Sequence, residues 1–249
     1  MRTAIVTGAA RGIGRAISLR LARDGLNVVA SDLSFRRTEL DNLAKEIQSS
    51  GKTKAFAHCA DVTKENEVQE LVKSTVDQFG AVDVMVANAG ICPSAAFVST
   101  FLEEWEKVMA INARGVFLCY KAAAIQMIKQ GRGGRLIGAS SLAGKQGSPE
   151  TVSYCASKFA VRAITQVAAK ELWEHGITAN GYAPAAVNTD LLSDVTGDRK
   201  LKGLTEFVSP NLQLIPPEDI AALVSYLVRD EAKYVTGQTV NINLGMICD

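Results

Sequence analysis

The stretch from Thr3 to Gly14, TAIVTGAARGIG, decides the fold: a short apolar run passes straight into a glycine-spaced turn and then into a helical pattern. Five residues of this kind, closed by a turn glycine, read as a strand buried on both faces. Without a Cβ, Gly8, Gly12 and Gly14 let the backbone turn tightly. They also let it approach a pyrophosphate lying at the positive end of the next helix, beside Arg11 and Ile13. A turn or helix-packing role is the competing reading of a glycine pattern taken alone. Its position between strand and helix favours the phosphate cradle.

Working outward, the same alternation repeats along the chain. Strands are predicted at TAIVT, NVVASD, KAFAH, VDVMVA, GRLIGAS, ITANGYA and TVNIN, with helices beginning near Gly12, Arg36, Lys64, Leu102, Ser153 and Pro217. Seven strands separated by helices imply an α/β fold: one Rossmann-type, doubly wound domain over residues 1–249, its seven-stranded parallel sheet flanked by helices on both faces. Ligands then gather beyond the carboxyl ends of the strands, where strand order reverses. From about residue 188 to 214 the periodicity fails, and Leu191, Leu192, Leu204, Phe207, Val208 and Leu212 are expected to form a substrate lid.

With 249 residues and 47% hydrophobic content, the chain is long enough for a substantial core. Its 27 basic and 26 acidic residues leave a net charge of +1, which gives no field to gather nucleic acid or an anionic membrane, and neither partner is expected. Five cysteines, an odd number without metal-ligand spacing, and a start on a strand point to a reducing, cytoplasmic setting with no bound metal. No apolar run is expected to span a bilayer. The two histidines, His58 and His175, stand far apart and are read as structural or surface residues, as Trp105 and Trp173 are read as packing or interface residues.

Chemistry enters with YCASK. Tyr154 and Lys158 share a helix face, with Ser141 thirteen residues upstream. A phenol beside an ammonium is expected to ionise more easily, by up to roughly three pKa units at about 4 Å and an effective dielectric of about 20. Strand alternation turns Ser140 away from whatever Ser141 faces. At the other end of the site, Asp32 closes the second strand, where a carboxylate accepts hydrogen bonds from ribose hydroxyls and repels a 2′-phosphate. That favours NAD over NADP, although Arg11, Arg36 and Arg37 lie close. Asp61, followed by Val62, and the triplet Asn88, Ala89, Gly90 end the third and fourth strands on the same rim. Asp61 could hold an adenine amino group or serve helix capping.

In this order TGAARGIG, Asp32, NAG, Asn112 in MAINARGVF, Ser141 in GASS, YCASK and the segment Pro184 to Thr189 resemble the short-chain dehydrogenase/reductase family over essentially the whole chain. Ser148 to Gln166 is most similar to the acetoin/2,3-butanediol dehydrogenase and diacetyl reductase branch. The resemblance implies a nicotinamide-dependent oxidoreductase. In it Tyr154 is the acid/base, Ser141 orients the reacting oxygen, Lys158 binds the nicotinamide ribose and Asn112 supports a proton relay. Ile13, Asn88, Val187 and Thr189 would contact the cofactor. It also implies a homotetramer built on the helices spanning Leu102 to Gln130 and Ser153 to Glu174. The implied substrate is a neutral ketone or secondary alcohol, with acetoin, diacetyl or a butanediol as its sharpest form, in a pocket framed by Cys92, Pro93, Ser94, Ser141, Leu142, Ser148, Tyr154, Ala185 and Ala186. A 3-oxoacyl thioester, a sugar alcohol or a larger specialised-metabolite ketone are rival substrates; a catalytically silent nucleotide sensor is the non-enzymatic rival. Ala185 stands where the family usually has glycine, so a positive φ there would be strained.

Overall fold

The computed structural model describes residues 1–189 and 214–248. Seven parallel strands form one sheet: β1 (Thr3–Thr7), β2 (Asn27–Asp32), β3 (Ala55–Cys59), β4 (Val84–Ala87), β5 (Gly134–Ala139), β6 (Ile177–Pro184) and β7 (Thr239–Ile242). Their order is β3-β2-β1-β4-β5-β6-β7, so the order reverses between β1 and β4. The expected lid falls on 190–213, outside the described residues.

The sheet splits the core in two because successive side chains point to opposite faces. Ala4, Val6, Val28 and Ala30 pack on one side with Ile17 and Leu21 of α1 (Gly12–Arg23), Leu40 and Leu43 of α2 (Arg37–Ser49), and Val224 and Leu227 of a late helix, Pro217–Leu227. Ile5, Val29, Met85 and Leu136 face the other way. They meet Leu71 and Val72 of α3 (Glu65–Phe79), Val161 of α6 (Val152–Leu172) and the long helix between. Burial on both faces explains why these strands read as continuous apolar runs.

The pattern predicted one helix from Leu102. It is found as α4 (Leu102–Met109) and α5 (Gly115–Gln130), joined by a π turn at Ala110–Arg114 that carries Asn112; the late helix is therefore α7. Contrary to expectation, the 29 residues of Leu102–Gln130 are long and apolar enough to cross a bilayer, but 56% of the apolar window is buried within the protein. Met127, Cys119 and Ala123 lie against the sheet, as in the core helix of a globular domain.

The strain expected at Ala185 does not arise. Among the described residues only Glu150 and Leu244 combine a side chain with a positive φ, and Ala185 donates an ordinary backbone hydrogen bond to Ile242 at 3.0 Å.

Candidate active site

A cleft of about 580 Å³ opens at the carboxyl ends of β1 and β4. One end is the glycine turn. Gly8 and Gly12 adopt φ of +63° and +53°, and a Cβ on Gly8 would lie 2.9 Å from the Ala89 Cα, so the turn is shaped for a backbone surface rather than side chains. α1 starts without a side-chain cap at Arg11, leaving its first-turn N–H groups facing the cleft. This is an anion cradle at the positive end of a helix, and it fits the pyrophosphate of a dinucleotide.

Asp32 forms the far wall of this half. Its Oδ2 accepts the Ala10 N–H at 3.1 Å and its Oδ1 the Leu33 N–H at 2.8 Å, which locks the carboxylate and leaves lone pairs for ribose hydroxyls. Arg36 lines the same wall but is bound to Glu39 at 2.8 Å, and Arg37 is bound to Asp41 at 2.9 Å. Asp61 does not cap α3. Its Oδ1 accepts from both the backbone N–H and the hydroxyl of Thr63, a local turn that precedes the helix and holds Asp61 on the cleft wall.

The other end gathers the remaining candidates. Tyr154 and Lys158, one turn apart on α6, both line the cleft. The Tyr154 hydroxyl faces Ser141, which works against the rise in its pKa, and the Lys158 Nζ lies 5.4 Å from the centre of the tyrosine ring while donating to the Ala139 carbonyl at 2.8 Å. Ser140 also lines the cleft, but its hydroxyl is committed to the Lys158 carbonyl. Asn112 is fully buried. Its amide clamps Ile91 in both directions, Nδ2 donating to the carbonyl at 2.8 Å and Oδ1 accepting the N–H at 2.9 Å. The π turn opens the helix ladder at this point, a geometry that recurs at functional sites. A Cβ on Gly90 would meet Asn112 Oδ1 at 3.2 Å and Lys158 Nζ at 3.4 Å, so a glycine is what lets the three residues converge.

The electrostatics differ from the sequence expectation. Burial raises the Tyr154 pKa above its ordinary value, and burial lowers that of Lys158 to about 8. Desolvation of both groups outweighs their mutual attraction, because neither the phenolate nor the ammonium keeps its water. At neutral pH Tyr154 is therefore a neutral phenol, a proton donor. For Lys158 the linkage has a definite sign. Its folded pKa lies below its unfolded value, so burying the ammonium destabilises the fold at pH below about 8, and the penalty disappears as pH climbs from about 8 toward 10.5. Lys158→Met is expected to stabilise the protein at pH 7, on the order of 2 kcal/mol once the lost bond to Ala139 is allowed for. Thermal unfolding from pH 6 to 10.5 checks this, and an advantage that grew with pH would contradict it.

Most expected residues line the cleft: Gly8, Arg11, Gly12, Ile13, Gly14, Asp32, Asp61, Val62, Asn88, Ala89, Gly90, Pro184 and Thr189. Ser141, Asn112 and Val187 do not; Val187 is buried beside its parallel backbone bridge to Ile215. Sequence reasoning missed Phe35, Lys107 and Tyr182, which also line the cleft. Phe35 carried a signal, an exposed aromatic two turn residues after Asp32; Tyr182 carried none, being one of eight consecutive buried strand residues. Cys92 is held beside Lys158, and burial pushes its thiol up to about 12, so it serves as an apolar wall rather than a nucleophile.

Comparison with known proteins agrees with this geometry. Residues 8–247 match the family model described as enoyl-(acyl carrier protein) reductase. The short-chain dehydrogenase/reductase eriH of Hericium erinaceus is 48% identical over 98% of this chain and 97% of its own length. A 3-oxoacyl-[acyl-carrier-protein] reductase of Staphylococcus epidermidis is 39% identical over 98% of both chains. A crystal structure of a short-chain type dehydrogenase/reductase from Mycobacterium marinum superposes with a TM-score of 0.90 at 31% identity, covering 100% of this chain and 96% of that one. Sheet order, glycine cradle and the Ser141, Tyr154, Lys158 cluster thus sit in a chain whose whole length aligns with these proteins, and it belongs to the short-chain dehydrogenase/reductase family of oxidoreductases.

Proposed function

We propose that this oxidoreductase interconverts a neutral ketone and its secondary alcohol, uses NAD in preference to NADP, and works in the cytoplasm as a homotetramer. The observation that carries the reading is the pairing of Tyr154 and Lys158, 5.4 Å from ring centre to Nζ, at one end of a cleft whose other end is an anion cradle. The dinucleotide, when bound, supplies hydride to the carbonyl carbon or takes it from the carbinol carbon. In reduction Tyr154 gives its proton to the carbonyl oxygen as negative charge develops there, and Ser141 donates a second hydrogen bond to the same oxygen. Lys158 would hold the nicotinamide ribose and return a proton toward Tyr154. Asn112, through its clamp on Ile91, keeps that end of the cleft in shape.

The apolar lining of Ile91, Ala110, Ile111 and Ala139 supports a neutral substrate, with a vicinal diketone, acetoin or diol as the sharpest form. The 39% identity to a 3-oxoacyl-[acyl-carrier-protein] reductase supports a second reading, reduction of a 3-oxoacyl thioester. Exposed Phe117 and Ile125 on α5, and Phe159 and Val167 on α6, are each spaced eight apart and so share one helix face. They support contact between subunits on these helices.

The locked Asp32, with Arg36 and Arg37 each held by a carboxylate of its own, supports NAD. Steady-state assays are expected to give kcat/KM for NADH at least about tenfold above NADPH, and Asp32→Ser is expected to close most of that gap. The same assays over diacetyl, acetoin, butanediols and a short 3-oxoacyl thioester separate the two substrate readings. Turnover of thioester alone would remove the small-ketone form, and equal use of both dinucleotides would remove the NAD preference.

A further inference from the structure

We propose that Tyr182 is a positioning residue for the cofactor loop, acting through Asn88 from two strands away. The inference rests on the reading of the cleft as a dinucleotide site.

At the carboxyl ends of four adjacent strands one row of residues crosses the sheet. Tyr182 on β6 is in register with Ala139 on β5. Extending the β4–β5 register by one residue sets Asn88 beside Ala139, and extending the β1–β4 register by two sets Gly8 beside Asn88. Tyr182 is 1% exposed, and its hydroxyl donates to the Asn88 Oδ1 at 2.8 Å across the small side chain of Ala139. With its oxygen so engaged, Asn88 must present its amide nitrogen the other way. That nitrogen donates to the Thr7 carbonyl at 2.9 Å and the Gly8 carbonyl at 3.2 Å.

These are the residues where β1 becomes the glycine turn. The Asn88 Nδ2 also packs directly on it: a Cβ on Gly8 would sit 2.9 Å from this nitrogen and one on Gly14 would sit 2.6 Å away. The phenol therefore fixes which way round the amide sits, and the amide holds the turn at its left-handed φ. Burial keeps the Tyr182 pKa well above its ordinary value, so the hydroxyl stays a donor over the whole working pH range. Removing it leaves a buried carbonyl oxygen without its donor, and a flipped amide would set oxygen against oxygen at Thr7 and Gly8.

This role predicts a separation that general destabilisation would not produce. In Tyr182→Phe, fluorescence titration is expected to show NADH bound about tenfold more weakly. ADP-ribose, which lacks the nicotinamide and so reports the glycine turn and the adenosine end without the Tyr154 end, is expected to weaken by the same factor. At saturating NADH, kcat and the ketone KM are expected to stay within twofold of wild type. If Tyr182→Phe folds too poorly to assay, Ala139→Val places a branched side chain between hydroxyl and amide with both partners kept, and the same split is expected of it. Dinucleotide and ADP-ribose affinities within twofold of wild type in the folded variant would overturn the inference while leaving the cofactor reading intact. A loss of kcat with unchanged affinity would overturn it too, since Tyr182 would then act through Tyr154. Wild-type protein that binds neither NADH nor NADPH would overturn the cofactor reading and this inference together.

Discussion

Tyr154→Phe is expected to lower kcat by at least about two orders of magnitude while leaving dinucleotide affinity and melting temperature close to wild type. The ring is half-buried on α6 and packs beneath the Lys158 Nζ, contacts that phenylalanine retains; only the hydroxyl, which faces Ser141, is removed. Hydride transfer to a carbonyl carbon leaves charge on oxygen, and without the phenol the remaining donor is Ser141. Because Tyr154 is neutral at neutral pH, the loss should be present in the reducing direction from pH 6 upward rather than appear only at alkaline pH. Steady-state kinetics for ketone reduction and alcohol oxidation, with circular dichroism as the check on folding, make the measurement. Activity within a few fold of wild type would remove Tyr154 from the proton-transfer role.

The parts of the molecule that were legible in the sequence are those fixed by local chemistry. TAIVT and NVVASD became strands at the expected residues because sheets covered on both faces leave only continuous apolar runs. Gly8 and Gly12 became left-handed turn residues because no other residue type takes that conformation without strain. What failed depended on distant packing. The helix from Leu102 opens into a π turn where the Asn112 side chain reaches the backbone of Ile91, twenty-one residues away, a contact that local spacing does not encode.

Spacing gave the Tyr154 and Lys158 pair but misjudged its titration. Proximity along a helix is a local fact, whereas the desolvation that dominates both groups is imposed by everything packed around them. Val187 sat in the right segment, yet its side chain packs into the apolar core, beside the backbone bridge to Ile215, rather than lining the cleft. Tyr182 was invisible because the whole of β6 is buried, and burial does not say which of eight residues reaches across its neighbour. Ala185, which stands where the family usually has glycine, would be strained only at a positive φ, and the backbone there keeps an ordinary one.

Gly14→Ala is expected to cost most of the dinucleotide affinity, more than about a hundredfold, together with over about 3 kcal/mol of stability. The added Cβ would lie 2.1 Å from the Gly8 carbonyl oxygen, 2.8 Å from its carbon and 2.6 Å from the Asn88 Nδ2. None of these is the end of a flexible side chain. Two are backbone atoms of the cofactor turn, and the third is held by bonds to Thr7 and Gly8, so relief requires α1 to move away from β1 and takes the anion cradle with it. Gly12→Ala makes the distinction sharp. Its Cβ would meet only the Thr189 side chain, at 3.2 and 3.4 Å, and its main cost is the left-handed φ of +53°, about 1–2 kcal/mol. Gly147→Ala, with nothing within 4 Å of the new carbon, serves as the control and should bind NADH like wild type. Denaturant unfolding and NADH titration of the three variants should rank Gly14 far worst, Gly12 intermediate and Gly147 neutral. A Gly14→Ala protein that bound NADH within threefold of wild type would mean that close contact between α1 and the end of β1 is not what shapes the phosphate end of the cleft.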